Sequence, residues 1–212
     1  MSQAAGASRV AQRDVFFNCP FDDAYRPMFW AIIYTIHECG FFARSALEQN
    51  DGAQWRLSKI NQLIRDCTLG IHDISRTESD AQTGLPRFNM PLELGLFLGA
   101  REFGNVQQRT KRCLVLDRES DRYLRFISDL RGQDPVSHGG DPAKAINVVR
   151  DWLDEQSGPA TILPSGTLIH DRFKLCNDEM PAICAKFKLD AQNLSYKNHL
   201  QLIRLWLTAN PV

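Results

Sequence analysis

Glu93 is the residue of this sequence with the most specific chemical potential. It stands near the start of RFNMPLELGLFLGA (87–100), a segment apolar almost throughout. An ionised group drawn into such surroundings loses its hydration, so a lone carboxylate there needs a partner or a task. Near the start of a helix, the orphan N–H groups and the macrodipole would favour it by roughly 0.3 to 1 kcal/mol. The same N–H groups are expected to hold its pKa low and keep it ionised, as a nucleophile or a cation stabiliser must be. The chemistry this predicts is capture or charge stabilisation of an electrophilic carbon.

The elements that must position such a group can be read along the chain. RDVFFNCPF is a short apolar run of β-formers and predicts a buried strand over Asp14 to Asn18. A helix follows, capped at Asp22 or Asp23, with Pro27 in its first turn and Gly40 at its end. FFARSALE predicts a second strand, and NDGAQWRLSKINQLIRDC a second helix capped near Asp51, with Trp55, Ile60, Leu63 and Ile64 on one face. TLGIHDIS is a third strand, ESDAQTGLPRFN a long loop, MPLELGLFLGAREFG a third helix closed by Gly104, and KRCLVLD a fourth strand. DPVSH offers a short fifth strand, and RYLRFISDLRG and DPAKAINVVRDWLDEQ two more helices, the latter with Ile146, Val149, Trp152 and Leu153 on one stripe.

Continuously hydrophobic strands alternating with helices indicate a parallel sheet covered on both faces. The expected fold is α/β, a flavodoxin- or Rossmann-like doubly wound parallel sheet of order 2-1-3-4-5. The breaker-rich SGPATILPSG marks the one plausible boundary, dividing an α/β unit (1–157) from a helical C-terminal extension (158–212) whose clearest amphipathic segment is KNHLQLIRLWL. That extension is expected to complete the core, form a dimer contact or dock a partner protein.

Composition excludes several classes. A hydrophobic fraction of 43% and a charged fraction of 24% are ordinary for a globular chain, and no apolar run spans a membrane. With 25 basic and 25 acidic residues the net charge is zero, so nucleic acid is expected only indirectly, through a partner. The N-terminus lacks a hydrophobic signal region, which together with six cysteines in no metal or pairing pattern suggests a cytoplasmic protein with free thiols. No metal site and no cofactor of its own are expected. No Gly-rich phosphate loop is present, which disfavours dinucleotide dehydrogenases and P-loop NTPases.

In an open α/β sheet, ligands bind outside the carboxyl ends of the strands where the strand order reverses. That rule selects Asn18 and Phe21 after the first strand, Asp73 and Ser75 after the third, and Phe88, Asn89 and Glu93 at the third helix. His72 is expected to be a satisfied buried imidazole or a support for Asp73. Arg44, Arg56 and Arg76 are open candidates for a phosphate.

RDCTLGIHDIS, a variable loop and NMPLELGLFLGA together resemble the signature of the nucleoside 2-deoxyribosyltransferase superfamily. The resemblance covers about Asp14 to Asp117. It implies that Glu93 is the nucleophile at the anomeric carbon of a (deoxy)ribosyl group, and that Asp66 handles the departing base or its proton. It also implies that Asn18 and Phe21 lie against the base. Two departures stand out: RFN replaces the family's acid or serine before the nucleophile, so Arg87 or Asn89 would meet ribose hydroxyls or a phosphate instead, and the C-terminal extension is additional. TIR-like NAD-cleaving domains share this chemistry, and many bacterial relatives of both classes are antiphage-defence effectors. The implied function is an N-glycosidase acting on NAD+ or a (deoxy)nucleoside phosphate as substrate, in a homo-oligomer or held by a protein partner through the C-terminal helices. A catalytically silent nucleotide sensor and a metabolic deoxyribosyltransferase are the alternatives.

Overall fold

The computed structural model of the chain describes residues 13–48, 55–79 and 84–212. Five strands, β1 (Asp14–Asn18), β2 (Phe42–Arg44), β3 (Leu69–Asp73), β4 (Arg112–Asp117) and β5 (Val136–Ser137), form one all-parallel sheet in the order β2-β1-β3-β4-β5. Both β2 and β3 flank β1, so the order reverses there, as expected. Asn18 lies beside His72 in the register, and both side chains share one face while Asp73 takes the other. The strands are apolar on both faces because each face is covered. Val15 and Phe17 enter one layer and Phe16 the opposite one.

Helices α1 (Arg26–Glu38) and α4 (Pro142–Gln156) pack on the first face. Helices α2 (Arg56–Asp66) and α3 (Asn89–Phe103) cover the second, burying Ile60, Leu63, Ile64 and Phe97 around Phe16, and Met90 and Leu94 around Val115. Lys111 is buried beneath α2, its Nζ donating to the carbonyls of Ile64 and Cys67 and lying 4.5 Å from the centre of the Phe97 ring. That burial lowers its pKa to about 8.

Three local expectations change. The second strand stops at Arg44, because its guanidinium turns to Asp14 (2.7 Å) and Glu48 (2.9 Å) and Ser45 opens a turn. Trp55 is the residue before α2 and is 83% exposed, outside the helix's apolar stripe. The expected cap at Asp51 lies outside the described residues. RYLRFISDLRG forms two short 3-10 turns, over Arg122–Arg125 and Ser128–Leu130, instead of a helix. The cause is tertiary: Arg122 is buried against Asp117 Oδ1 (2.6 and 2.8 Å) and the Ile74 carbonyl (2.8 Å), and Asp121 before it takes a positive φ of 57°.

The C-terminal segment supplies α5 (Gly166–Lys186) and α6 (Tyr196–Ala209), each opened by a serine cap, Ser165 and Ser195. Ile169, Cys176, Met180, Leu202, Ile203 and Trp206 join the same hydrophobic cluster as Val15 and Phe17, so these helices form a further layer over α1 and α4. A Cβ at Gly166 would fall 1.9 Å from Asn147 Oδ1 and 3.2 Å from its Cα, so a larger residue there would have to displace the Asn147 side chain on α4. Arg172 clasps the layer: its Nε donates to Glu38 Oε1 (3.0 Å), its Nη2 to the Asn210 carbonyl (2.5 Å), and its guanidinium lies 5.1 Å from the Trp206 ring centre.

Arg172→Leu is therefore expected to destabilise the fold by about 3 kcal/mol in urea titrations, because it strands the 2% exposed Glu38 side chain without its cation. Adding Glu38→Gln should recover part of the loss; an unchanged midpoint in the single variant would contradict the clasp. Among the described residues, no helix is long and apolar enough to cross a membrane.

Candidate active site

The carboxyl edge of the sheet gathers residues from five segments. Asn18, at the end of β1, is buried, and its Nδ2 donates to the Met90 carbonyl (3.0 Å) and faces His72 Nδ1 (3.1 Å). This amide ties β1 to the first turn of α3, and so sets the height at which Glu93 enters. His72 is packed edge-on against Phe16 and Phe97, and burial pushes its pKa down to about 3, so the imidazole is neutral. Its partner is Asn18 rather than Asp73.

Asp73 is wholly buried at the end of β3. Its Oδ1 accepts from the Ser75 amide (2.9 Å) and hydroxyl (2.5 Å), and its Oδ2 from the Tyr25 hydroxyl (2.6 Å). His138, just past β5, brings its Nε2 to 3.1 Å of Oδ2, off the line a hydrogen bond requires. Because His138 Nδ1 accepts from the Gly140 amide (3.0 Å), the ring proton lies on Nε2, toward Asp73. Burial first, and then the Asp73 carboxylate, hold the Tyr25 hydroxyl well above its ordinary range. Asp73 and Ser75 are thus committed to each other and to the frame, where the sequence had suggested direct substrate contact. They fasten the β1–α1 loop, the exit of β3 and the exit of β5 to one point.

Glu93 is the fifth residue of α3, beyond the first turn, and is 8% exposed. The orphan N–H groups expected to keep it ionised are therefore out of reach. Among the described residues no hydrogen bond or ion pair reaches its carboxylate. Burial raises its pKa from 4.5 to about 7, with Arg56 as the opposing influence. The expectation of a low pKa is corrected: near neutrality this carboxyl is poised between its two forms. Cys19 lies within the field of both Asp73 and Glu93, its thiol driven up by burial and by those charges, which makes it an inert wall.

The remaining candidates divide clearly. Phe21 (40% exposed) and Phe88 (56% exposed) present open ring faces at this edge, and Asn89 is exposed at the start of α3. Arg56 opens α2, 6.0 Å from the Phe21 ring centre, and Arg76 reaches Asp22 Oδ1 at 3.1 Å. Arg44, by contrast, is spent on Asp14 and Glu48.

Asp66 is not brought into the site. It ends α2 at the amino edge of β3, exposed, accepting from Gln62 Nε2 at 2.8 and 2.9 Å. The length of β3 separates it from Asp73, roughly 13 Å at the usual rise per residue. The acid at the head of the third strand therefore faces the wrong end of the sheet for a role beside Glu93.

Tyr25, Arg56 and His138 complete the constellation. The rule that selected Asn18 and Asp73 would also have selected His138, directly after the fifth strand. Tyr25 carries no signal of its own, since its partner lies 48 residues away. Among the described residues, no cluster of acidic, histidine or cysteine side chains is arranged to hold a metal ion. No family model, curated protein or solved structure matches the chain.

Proposed function

We propose that the protein is an N-glycosidase that cleaves the base–sugar bond of a nucleotide, with Glu93 as the group that meets the anomeric carbon. The observation that carries this reading is the Glu93 carboxylate, buried and, among the described residues, unpaired, at the switch point of a doubly wound sheet. Breaking an N-glycosidic bond builds positive charge at the anomeric carbon, and an ionised carboxylate in a water-poor site captures or stabilises that charge. The bond's electron pair leaves with the base. When the base is a cationic nicotinamide it departs neutral and needs no proton. Water then adds to the anomeric carbon, displacing the Glu93 carboxylate with its bonding electron pair where the two have joined, and surrenders a proton to Glu93 or to solvent.

The sequence alternative of Asp66 as proton donor loses support from its distance, and Asp73 has no free oxygen to offer. A cationic leaving group is therefore the better match. It would also lower the pKa of Glu93 on binding, by the ordinary attraction of opposite charges. A defence role and assembly with a partner remain extensions of this reading, suggested by the resemblance in the sequence.

The test is to incubate the protein with NAD+ and a panel of nucleotides and follow released bases by chromatography, beside Glu93→Gln. Release that depends on Glu93 supports the proposal. Absence of release from every member refutes it, and binding without release would assign the crevice to sensing.

The reaction should also carry the signature of its carboxyl group. Since the ionised form is required, kcat/KM should rise with pH and level off above about 7. The profile of kcat with a cationic substrate should level off at lower pH. A kcat/KM that falls across this range would identify the protonated acid as the active form instead.

A further inference from the structure

Between the β1–α1 loop and the α5–α6 connection lies a cavity of about 380 Å³, within the range of small-molecule sites. Its walls are aromatic: Phe21, Phe29, Trp30, Tyr196 and His199. The His199 ring lies 3.7 Å from that of Trp30 and nearly parallel at 25°, Tyr196 stacks on the same indole at 5.8 Å, and Phe21 meets Phe29 edge-on at 5.9 Å. Such walls accept flat rings of any substitution pattern, since every heteroaromatic base has a π-face.

The polar groups fit the same class of ligand. His199 Nε2 is buried and makes no hydrogen bond among the described residues, and burial lowers the ring's pKa to about 4, leaving it neutral. Exposed Gln192 and Asn193 add amide donors and acceptors at the rim, suited to the edge of a base.

The cavity also has a defined relation to Glu93. Phe21 lines it, and Arg56, whose charge is felt at Glu93, lies 6.0 Å from that ring. Asp22 lines it too, and holds Arg76 at 3.1 Å. Two guanidinium groups thus stand along the loop shared by the cavity and the crevice, and guanidinium is the group best matched to a pyrophosphate.

We propose that this cavity, closed by the C-terminal helices, binds the distal base of a dinucleotide whose scissile glycosidic bond lies at Glu93. The assignment rests on the N-glycosidase reading and narrows its substrate to a dinucleotide of the NAD+ type. It also gives the C-terminal extension a task beyond completing the core.

Two measurements test it. Asn193→Trp fills the mouth of the cavity from an exposed loop, and His199→Ala removes part of its wall. In each variant the ratio of KM for NAD+ to KM for nicotinamide mononucleotide, which lacks the distal base, should rise at least about tenfold over wild type. Independently, adenosine monophosphate should bind wild type and Glu93→Gln alike by calorimetry, and Asn193→Trp at least about tenfold more weakly. An unchanged KM ratio, or adenosine monophosphate affinity indifferent to both cavity variants, overturns the proposal. Cavity-dependent binding without base release from any nucleotide would instead refute the glycosidase reading while leaving a base-binding cavity.

Discussion

Glu93→Gln is expected to lower base release by at least about 10³-fold while making the protein more stable at pH 8. The first effect follows from removing the carboxylate that, on the proposed reading, meets the developing cation. The second follows from the carboxyl group's pKa, raised by burial from 4.5 to about 7. Below about pH 4.5 the acid is protonated in the folded and unfolded chains, and contributes no difference. Between 4.5 and 7 the unfolded chain ionises while the folded one retains its proton, so stability falls as pH rises, and above 7 the full penalty persists. At about 1.4 kcal/mol per pH unit over about 2.5 units, relief of that penalty in the amide is worth up to about 3.5 kcal/mol, or roughly 7 to 14 °C in Tm at this chain length. Thermal melts at pH 8 and pH 4 check the sign: the variant should gain at the first and not at the second. Equal melts at both values would mean that Glu93 is hydrated and the site differently built. Loss of activity coupled to gain of stability is the mark of a group retained for function, which a helix-capping acid would not show.

How much of this could be read beforehand depends on which interactions decide each residue. The sheet order and the bounds of β1 and α3 were legible because they are set by local runs: VFFN is apolar and β-forming, and LELGLFLGA lies between a polar loop and a closing Gly104. The switch point followed from topology once the strands were in order, and Asn18 and Asp73 end the two strands that meet there. What these side chains do there was less legible, because it depends on partners distant in sequence. Asp73 looked like a ligand-binding acid until Tyr25 and His138 closed around it. Glu93 looked like a first-turn acid because the helix was read from Met90; it begins one residue earlier, at Asn89, so Glu93 falls past the first turn, where burial rather than the helix N–H groups sets the direction of its pKa. Asp66 was placed by resemblance alone, and the direction of α2 against the sheet carries it to the other edge. RYLRFISDLRG has helical periodicity, yet the burial of Arg122 against Asp117 and Ile74 outweighs it. The C-terminal stripe of Leu202, Ile203 and Trp206 was visible as amphipathic, whereas its burial on α1 and α4 was one of three open options.

Asp73→Ala is expected to have the largest effect on the fold itself, about 4 kcal/mol, enough to unfold a marginal domain at 37 °C. Its carboxylate is wholly buried and answers the Tyr25 hydroxyl, the Ser75 hydroxyl and the Ser75 amide, with the His138 Nε2 proton facing it. Alanine strands these donors without water to replace the lost oxygens, and a buried donor left unmet costs about 1 to 3 kcal/mol. Asp73→Asn separates frame from chemistry. Its amide oxygen can still accept from Ser75, and the Tyr25 hydroxyl can rotate to accept from the new NH2, so most of the fold should survive. The conflict that remains is His138, whose Nε2–H would face an N–H group; to escape it, the ring must change tautomer and give up its bond from Gly140. Urea midpoints should therefore rank wild type, Asp73→Asn and Asp73→Ala in that order, with the asparagine variant within about 2 kcal/mol of wild type. If Asp73 only fixes the loop that carries Phe21, base release by Asp73→Asn should follow its folded fraction, with the pH profile still set by Glu93. If the asparagine variant folds fully yet loses release as completely as Glu93→Gln, Asp73 takes part in the reaction directly, and its enclosure by Tyr25, Ser75 and His138 must open during turnover.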